Sequence, residues 1–423
     1  MRVLFVCTAH KTHYFQVVPL AWAMRTAGHE VRVAVPPELV DTVTGSGLTA
    51  VPVGVAGWNE DDPPATRLYE RLLAAGSADY VQHFDYTGGG RGRWSPDELL
   101  TLQTLMVSAF FAPMNNPPMV DDLVDFARRW QPDLVIREIY SLAGGVAARV
   151  TGAAHARLIY GPDNLTHVRR PFLAQAEQHG QDPAAEWLDR VLHRYGRGFD
   201  EEVLTGHWTV DLNPPSTRLG HGLHVVGMRY VPYNGPAVVP NWLWEPPRRP
   251  RICLTGGMSR RDAGEEDQLA GLLAGLADLD VEVVATVGAD QAAPLSAPPA
   301  NARIVDFVPM NDLLPTCALV VHHGGGGTRS TAEFHGVPQL ILSHGWDTEM
   351  KGRRLAELGA ALVIPGAEAT PAAVRDAVRR ILGDQGFTEA AARVREELLA
   401  EPSANEIVPV LEQLTTKHRT PVA

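Results

Sequence analysis

Short apolar runs alternate with longer helix-like stretches along the first half of the chain. The runs VLFVCT, EVRVAVP, PDLVIREI and ARLIYGP are interpreted as strands, and the stretches VPLAWAMRTAG and LAGGVAARVTG as helices. Strands that are apolar on both faces and alternate with helices are typical of a parallel sheet with helices on both sides. The pattern predicts a doubly wound α/β domain in this half.

The same alternation resumes in the second half of the chain. Its predicted strands are RICLTGG, VEVVATVG, ARIVDFVP, ALVVHHG, PQLILSHG and AALVIP. Prolines crowd together between the halves, so we predict an interdomain linker over residues 216–249. The predicted fold class is α/β, with Rossmann-like domains over 1–215 and 250–423 that face each other across a cleft. The terminal helices are candidates for packing back on the first domain.

The alternation weakens between Gly54 and Met119, where GGGRGRW and APMNNPP interrupt it. We predict long loops and helices over one edge of the first domain, which is a common place for a binding surface. The apolar side chains of this segment suit either a large apolar ligand or a local core. They include Trp94, Phe110, Phe111 and Met114.

Composition narrows the classes of partner. The formal net charge of −12 argues against a nucleic acid or an anionic membrane as the main partner. No apolar span approaches the length of a membrane helix, and MRVLFVCTAHKTH is interpreted as a first strand, not a signal peptide. Cys7, Cys253 and Cys317 are far apart and suit reduced core thiols, so we predict a cytoplasmic protein.

The stretch VVHHGGGGTRST places a glycine run between a buried strand and a predicted helix that ends at Gly336. Glycines allow close approach to a ligand, and a helix start presents unpaired N–H groups to an anion. A tight strand-to-helix turn would use the same residues. Neither a P-loop nor a GxGxxG fingerprint is present, so a phosphate site here would use histidine and threonine in place of lysine.

His13 and Glu138 are the candidate catalytic residues. His13 is predicted in the loop after the first strand and Glu138 at the end of PDLVIRE, so both lie at the carboxyl edge of one sheet. A histidine beside a carboxylate can act as a general base on a hydroxyl. The alternatives are a surface or cap histidine, and a metal pair formed by His10 and His13 for which no third ligand is apparent.

Two further strand ends complete the candidate site. Gly257 and Ser259 follow RICLT, and they could form the far wall of the phosphate pocket. Trp346, Asp347 and Thr348 follow PQLIL at the edge of the predicted cleft. Asp347 is either the N-cap of the next helix or a carboxylate that accepts hydrogen bonds from sugar hydroxyls.

In combination these stretches resemble the GT-B nucleotide-sugar glycosyltransferases of family 1, and in particular the actinobacterial enzymes that attach deoxysugars to macrolides and related polyketides. The resemblance rests on VPLAWAMRTAGHEVRVA, VGMRYVPYNGP, FVPMNDLLPTCALVVHHGGGGT, HGVPQLIL and GWDT, and it covers nearly the whole chain.

The resemblance implies a role for each candidate residue. His13 aligns with the family's base, and Glu138 takes the place of a partner that is commonly aspartate. Asp347 and Thr348 align with a sugar-contacting Asp-Gln pair, and Trp346 is placed beside them. The implied contacts to the donor nucleotide and diphosphate are Gly257, Ser259, Val308, His323, Gly324, Gly325, Gly326, Gly327 and Thr328, while His322 ends the strand.

The implied activity is inverting transfer of a deoxyhexose from a TDP-sugar to a hydroxyl of a hydrophobic polyketide aglycone, with no metal. The alternatives are a nucleotide-sugar 2-epimerase of similar fold and a noncatalytic nucleotide-sugar-binding accessory subunit. The resemblance also suggests a cytochrome P450-like auxiliary activator protein, and a second copy of the chain is the other candidate partner.

Overall fold

A computed structural model describes residues 1–56, 80–81, 84–86, 94–220, 222–256, 266–286, 298–345 and 347–420. Within these ranges the strands form two parallel sheets of seven and six strands. Helices cover both faces of each sheet because the strands are buried on both sides.

The first sheet has the order β3-β2-β1-β4-β5-β6-β7, with every neighbouring pair parallel. Its order reverses between β1 and β4, which places a crevice at the carboxyl ends of these two strands. The strands are β1 (Arg2–Val6), β2 (Glu30–Val35), β3 (Ala50–Pro52), β4 (Leu134–Glu138), β5 (Ala154–Ile159), β6 (Trp208–Asp211) and β7 (Val225–Gly227).

The second sheet repeats this topology with the order β10-β9-β8-β11-β12-β13. Its reversal lies between β8 and β11, so the second domain has an equivalent crevice. The strands are β8 (Arg251–Thr255), β9 (Glu282–Thr286), β10 (Ala302–Val305), β11 (Leu319–His322), β12 (Gln339–Ser343) and β13 (Ala361–Pro365). All six confirm the strands predicted from the second half of the sequence.

Helices connect the strands in both domains. In the first they are α1 (Lys11–Thr26), α2 (Val40–Gly45), α3 (Pro96–Met106), α4 (Ala112–Met114), α5 (Pro117–Trp130), α6 (Ala143–Thr151), α7 (Asn164–Ala174), α8 (Ala176–His179), α9 (Pro183–His193) and α10 (Glu202–Thr205). In the second they are α11 (Glu266–Leu276), α12 (Met310–Leu313), α13 (Gly326–His335), α14 (Thr348–Glu357), α15 (Pro371–Gly383), α16 (Gln385–Ala400) and α17 (Ala404–His418).

The short strands β3, β6 and β7 were not predicted from the sequence. β6 contains Trp208, which is fully buried, and pairs with β5 on one side and β7 on the other. β7 lies within the range 216–249 that the sequence predicts as linker. The first sheet therefore continues into this proline-rich range before the chain reaches β8.

The last helix, α17, packs on the first domain. It contacts α1 and β5, and its Leu411 belongs to the same buried cluster as Phe5 and Leu158. The chain thus returns to its first domain after completing the second. No helix in the described ranges is long and apolar enough to cross a membrane.

The described part of the loosely patterned segment folds as local core. Phe111 is buried in a cluster with Leu102 and Phe172, and Trp94 and Phe110 pack against that cluster. A π-helical turn, Val107–Phe111, joins α3 to α4. Of the two interpretations left open by the sequence, local core therefore applies to these three aromatic residues. The rest of the segment, at 57–79, 82–83 and 87–93, lies outside the described residues.

Candidate functional site

A cavity of about 380 Å³ lies between the domains, at the crevices of both sheets. Its volume is typical of a small-molecule site. The first domain lines it with His13, Tyr140 and Tyr160, and the second with residues of the glycine loop and of α14. The sequence placed its candidates at these strand ends. Of those in the described residues, the cavity is lined by His13, Val308, His323, Gly325, Gly326, Gly327, Thr328 and Asp347, whereas Glu138, Gly324 and Thr348 lie outside its lining.

His13 lies in the first turn of α1, and the prediction that it lies in a loop was wrong. The helix begins at Lys11, only a few residues after β1 ends, so the polar residues after the strand already belong to the helix. The Nδ1 atom of His13 lies 3.0 Å from Oε2 of Glu138. The two residues form the pair that the sequence predicted, with the glutamate in place of the commoner aspartate.

Glu138 is fully buried at the end of β4. Its Oε1 atom accepts hydrogen bonds from the hydroxyl of Ser141, at 2.7 Å, and from the backbone N–H of Tyr140, at 3.1 Å. Burial raises the pKa of this carboxyl, but the hydrogen bonds from His13, Ser141 and Tyr140 outweigh it and hold the pKa below its usual value. The carboxylate is therefore ionised and oriented, and it can fix the tautomer of His13 with Nε2 free to accept a proton.

The glycine loop leads directly into α13, as predicted from the sequence. Gly325 is the N-cap and supplies no side-chain cap, and the N–H of Arg329 makes the first intrahelical bond, to the carbonyl of Gly325. The amides at 326–328 precede that bond and so present donors and the positive end of the helix dipole. Gly324 has a φ of 92°, which a residue with a side chain rarely adopts. The loop geometry suits an anion.

His323 lies over the same loop and lines the cavity, as do Val308, Gly326, Gly327 and Thr328. A Cβ atom on Gly325 would lie 2.5 Å from Nε2 of His323, so only glycine leaves room for this imidazole.

His322 ends β11, as predicted, and its side chain is hydrogen-bonded to the backbone of the glycine loop. Its Nε2 lies 2.8 Å from Oε1 of Gln339, and its Nδ1 accepts the N–H of Gly324 at 3.1 Å. This arrangement needs a neutral imidazole with the proton on Nε2. Burial lowers the pKa of His322 to about 4, although the hydrogen bond to Gln339 opposes the shift.

Acidification is therefore expected to destabilise the protein through His322. Between pH 6.5 and about 4 the unfolded chain binds a proton at this position and the folded protein does not, so the free energy of unfolding falls as pH falls. In His322→Asn the titrating group is gone, and an oxygen acceptor remains available to Gly324. Denaturant unfolding at several pH values should show a shallower pH dependence for the variant. An equal pH dependence of the unfolding free energy in wild type and variant would contradict the assignment of this effect to His322.

Asp347 occupies the N-cap position of α14, as one of the two interpretations predicted, but its side chain makes no capping hydrogen bond. Its carboxylate instead pairs with the buried ammonium of Lys351 one turn later, and both residues line the cavity. Burial lowers the pKa of Lys351, and the charge of Asp347 opposes that shift. The hydroxyl of Thr348 donates to the carbonyl of Gly345 at 2.7 Å, which engages it in the local turn.

Sequence reasoning missed the residues that meet at the domain contact, among them Lys351, Arg329 and Tyr160. Lys351 reaches Gly161 of the first domain, where a Cβ would collide with its stem. Arg329 donates to the backbone carbonyl of Tyr160 at 3.0 Å and to Oδ1 of Asn213 at 2.8 Å. The spacing of Asp347 and Lys351 on one helix could have revealed that pair, whereas nothing in the sequence joins Arg329 to Tyr160.

Three candidates, Gly257, Ser259 and Trp346, lie outside the described residues. Among the described residues, no group of three or more histidine, cysteine or acidic side chains could hold a metal ion. The pair His10 and His13, whose ring centroids are 5.3 Å apart, thus gains no third ligand from the described part of the chain.

Both halves of the chain match models of one protein family. The model described as erythromycin biosynthesis protein CIII-like, N-terminal domain, matches residues 22–257. The corresponding C-terminal domain matches residues 270–414.

Whole-length relatives agree with these matches. The chain is 50% identical to 10-deoxymethynolide desosaminyltransferase from Streptomyces venezuelae over 433 residues, which covers 100% of this chain and 99% of the relative. It is 45% identical to 3-alpha-mycarosylerythronolide B desosaminyl transferase from Saccharopolyspora erythraea, with 100% of each chain covered. The crystal structure of the glycosyltransferase VinC in complex with DTDP is similar over 99% of this chain and 100% of that chain, with a TM-score of 0.86 and 38% identity.

Proposed function

The chain belongs to the erythromycin biosynthesis protein CIII-like family and is a glycosyltransferase of GT-B fold, and from this premise we propose the reaction that it catalyses. The enzyme moves a deoxyhexose from a TDP-sugar to a hydroxyl of a macrolide or other polyketide aglycone in antibiotic biosynthesis. The desosaminyl transferases among its relatives support this substrate class. The observation that carries the proposal is the pairing of His13 with Glu138 opposite an uncapped helix start.

The proposed mechanism is a single displacement with inversion. Nε2 of His13 takes the proton of the acceptor hydroxyl, and Glu138 stabilises the imidazolium that results. The acceptor oxygen forms a bond to the anomeric carbon while the bond from that carbon to the diphosphate oxygen breaks. TDP leaves with the bonding electron pair, and the amides that begin α13 stabilise the charge that it gains.

We propose that this stabilisation needs no metal ion and no cofactor. The helix start, His323 and Thr328 supply donors on the side of the cavity where the diphosphate would lie. The carboxylate of Asp347, neutralised in part by Lys351, is the proposed contact for the sugar hydroxyls. On the acceptor side, Ile139, Tyr140 and Pro162 offer apolar surface to the aglycone.

The test is product analysis with a TDP-deoxysugar and a set of polyketide aglycones. We expect a glycosylated aglycone and free TDP, at a rate that EDTA leaves unchanged. The 2-epimerase alternative predicts conversion of the donor with no aglycone present, and the accessory-subunit alternative predicts no turnover in any tube. The relatives' names favour transfer over both. Loss of activity in EDTA would contradict the metal-free step.

We propose further that full activity requires a P450-like auxiliary protein. The π-helical turn Val107–Phe111 lies in the first domain, and such turns are frequent at functional sites. A partner that selects one arrangement of this region would raise the population of the competent state. The assay is therefore run with and without the auxiliary protein, and equal rates would contradict its role.

A specific rate that rises with enzyme concentration would indicate a homodimer instead. The cytoplasmic location stays a prediction.

A further inference from the structure

Tyr160 connects the two halves of the cavity. It follows β5 at the carboxyl edge of the first sheet, and its ring meets the ring of His13 edge to face, with 5.4 Å between the centroids. On the other side, a Cβ built on Gly326 would lie 2.9 Å from Cδ2 of Tyr160. The phenol therefore lies between the base and the first residue of α13.

The hydroxyl of Tyr160 is buried and, among the described residues, has no hydrogen-bond partner. Burial raises the pKa of this phenol well above its usual value, and the nearby charge of Glu138 acts in the same direction. The hydroxyl is thus a neutral O–H donor, and it belongs to a residue that lines the cavity. A buried donor without an acceptor is unfavourable, so it is expected to be satisfied when a ligand fills the cavity.

We propose that the hydroxyl of Tyr160 donates a hydrogen bond to the β-phosphate of the bound nucleoside diphosphate, which is the leaving group of the transfer. The proposal rests on the proposed function, and it gives a first-domain residue a role in holding the donor. It follows from the contact of the ring with Gly326, whose amide begins the helix that faces the diphosphate.

The acceptor hydroxyl is a less suitable partner for this phenol. A hydrogen bond donated to the attacking oxygen would withdraw electron density from it and oppose the bond that it must form. A donor aimed at the leaving oxygen gains strength as negative charge accumulates there, so it favours the reaction. The phosphate is also the strongest acceptor that the ligand offers.

Arg329 anchors the backbone of Tyr160 from the second domain. Its guanidinium donates to the backbone carbonyl of Tyr160 at 3.0 Å and belongs to the same helix as Gly326. The backbone of Tyr160 is therefore held to α13 before a ligand binds, and the ring is packed between His13 and Gly326, which favours a preorganised donor.

Calorimetry with TDP and with TMP tests the proposal, because TMP lacks the β-phosphate. Tyr160→Phe keeps the ring and its contacts with His13 and Gly326. We expect it to weaken TDP binding by about 10- to 100-fold, the range for a hydrogen bond to a charged group, and to leave TMP binding unchanged. In the transfer assay kcat should fall while the KM for aglycone stays the same.

Tyr195→Phe is the matched control. It also removes a phenol hydroxyl, one that bonds to Asp121 outside the cavity, and should leave both nucleotide affinities and the rate unchanged. Equal TDP affinity in Tyr160→Phe and wild type would overturn the proposal and leave the proposed function intact. Equal losses for TDP and TMP would also overturn it, since the β-phosphate would not be the partner. Failure of the wild type to bind TDP would instead refute the proposed donor.

Discussion

Replacing His13 with alanine is expected to lower the turnover number by about 10²- to 10⁴-fold, the usual contribution of a positioned general base. The buried carboxylate of Glu138 then has no imidazole to orient, and no other group takes the acceptor proton in the proposed mechanism. TDP should bind with wild-type affinity, because the proposed diphosphate contacts come from the second domain and Tyr160. The measurement is single-turnover transfer at saturating donor, beside calorimetry with TDP.

His193→Ala is the control for that experiment. His193 lies on α9, is largely exposed, and pairs only with Asp189 on the same helix in the described structure. We expect wild-type turnover from it. An unchanged rate in His13→Ala would remove His13 from the base role, and a parallel loss of TDP binding would point to a collapsed site instead.

Replacing Arg329 with methionine should lower the free energy of unfolding by about 3–5 kcal/mol, which is the cost of removing one partner of a buried ion pair while the other charge stays buried. Arg329 is 0% exposed and lies 2.9 Å from the carboxylate of Glu333, which is buried beside it. Its guanidinium also satisfies the carbonyl of Tyr160 and the side chain of Asn213. All three partners would lose a donor at once. Denaturant unfolding measures the difference.

Arg353→Met is the matched control, because Arg353 forms an ion pair of the same spacing with Glu349 on the surface of α14. Exposed pairs contribute about 0–1 kcal/mol, so its loss should be small. The double variant Arg329→Met with Glu333→Met removes both buried charges and should recover part of the stability. If Arg329→Met and Arg353→Met lowered the free energy of unfolding by similar amounts, burial of the Arg329 pair would have no energetic consequence.

The sequence predicted the central strands of both sheets because each is a continuous apolar run bounded by turn residues. It did not predict β6 and β7, which are four and three residues long. β6 pairs with β5 from a distant part of the chain, and β7 pairs with β6. Such short strands are too short to show a hydrophobic periodicity, and whether they form depends on their pairing with neighbouring strands. The start of α1 was missed for a related reason: polar residues after a strand suit a loop and a first helical turn equally well.

The part of the candidate site that belongs to a single domain could be predicted from the sequence. Strand ends at a sheet reversal lie together in any doubly wound sheet, so His13 and Glu138 could be paired from their positions alone. Contacts across the cleft could not be found in this way. Tyr160 and Lys351 lie near the opposite domain only because of how the two sheets face each other, and that arrangement leaves no local pattern in the sequence.

The return of α17 to the first domain affects how hybrid enzymes should be built. In its connectivity the second domain is an insertion between β7 and α17, with Leu411 completing the core around β5. A hybrid joined once, near β8, would place a foreign α17 against that core. Two junctions, one before β8 and one between α16 and α17, would keep α17 with the first-domain core, to which α16 also contributes Leu398 near its end.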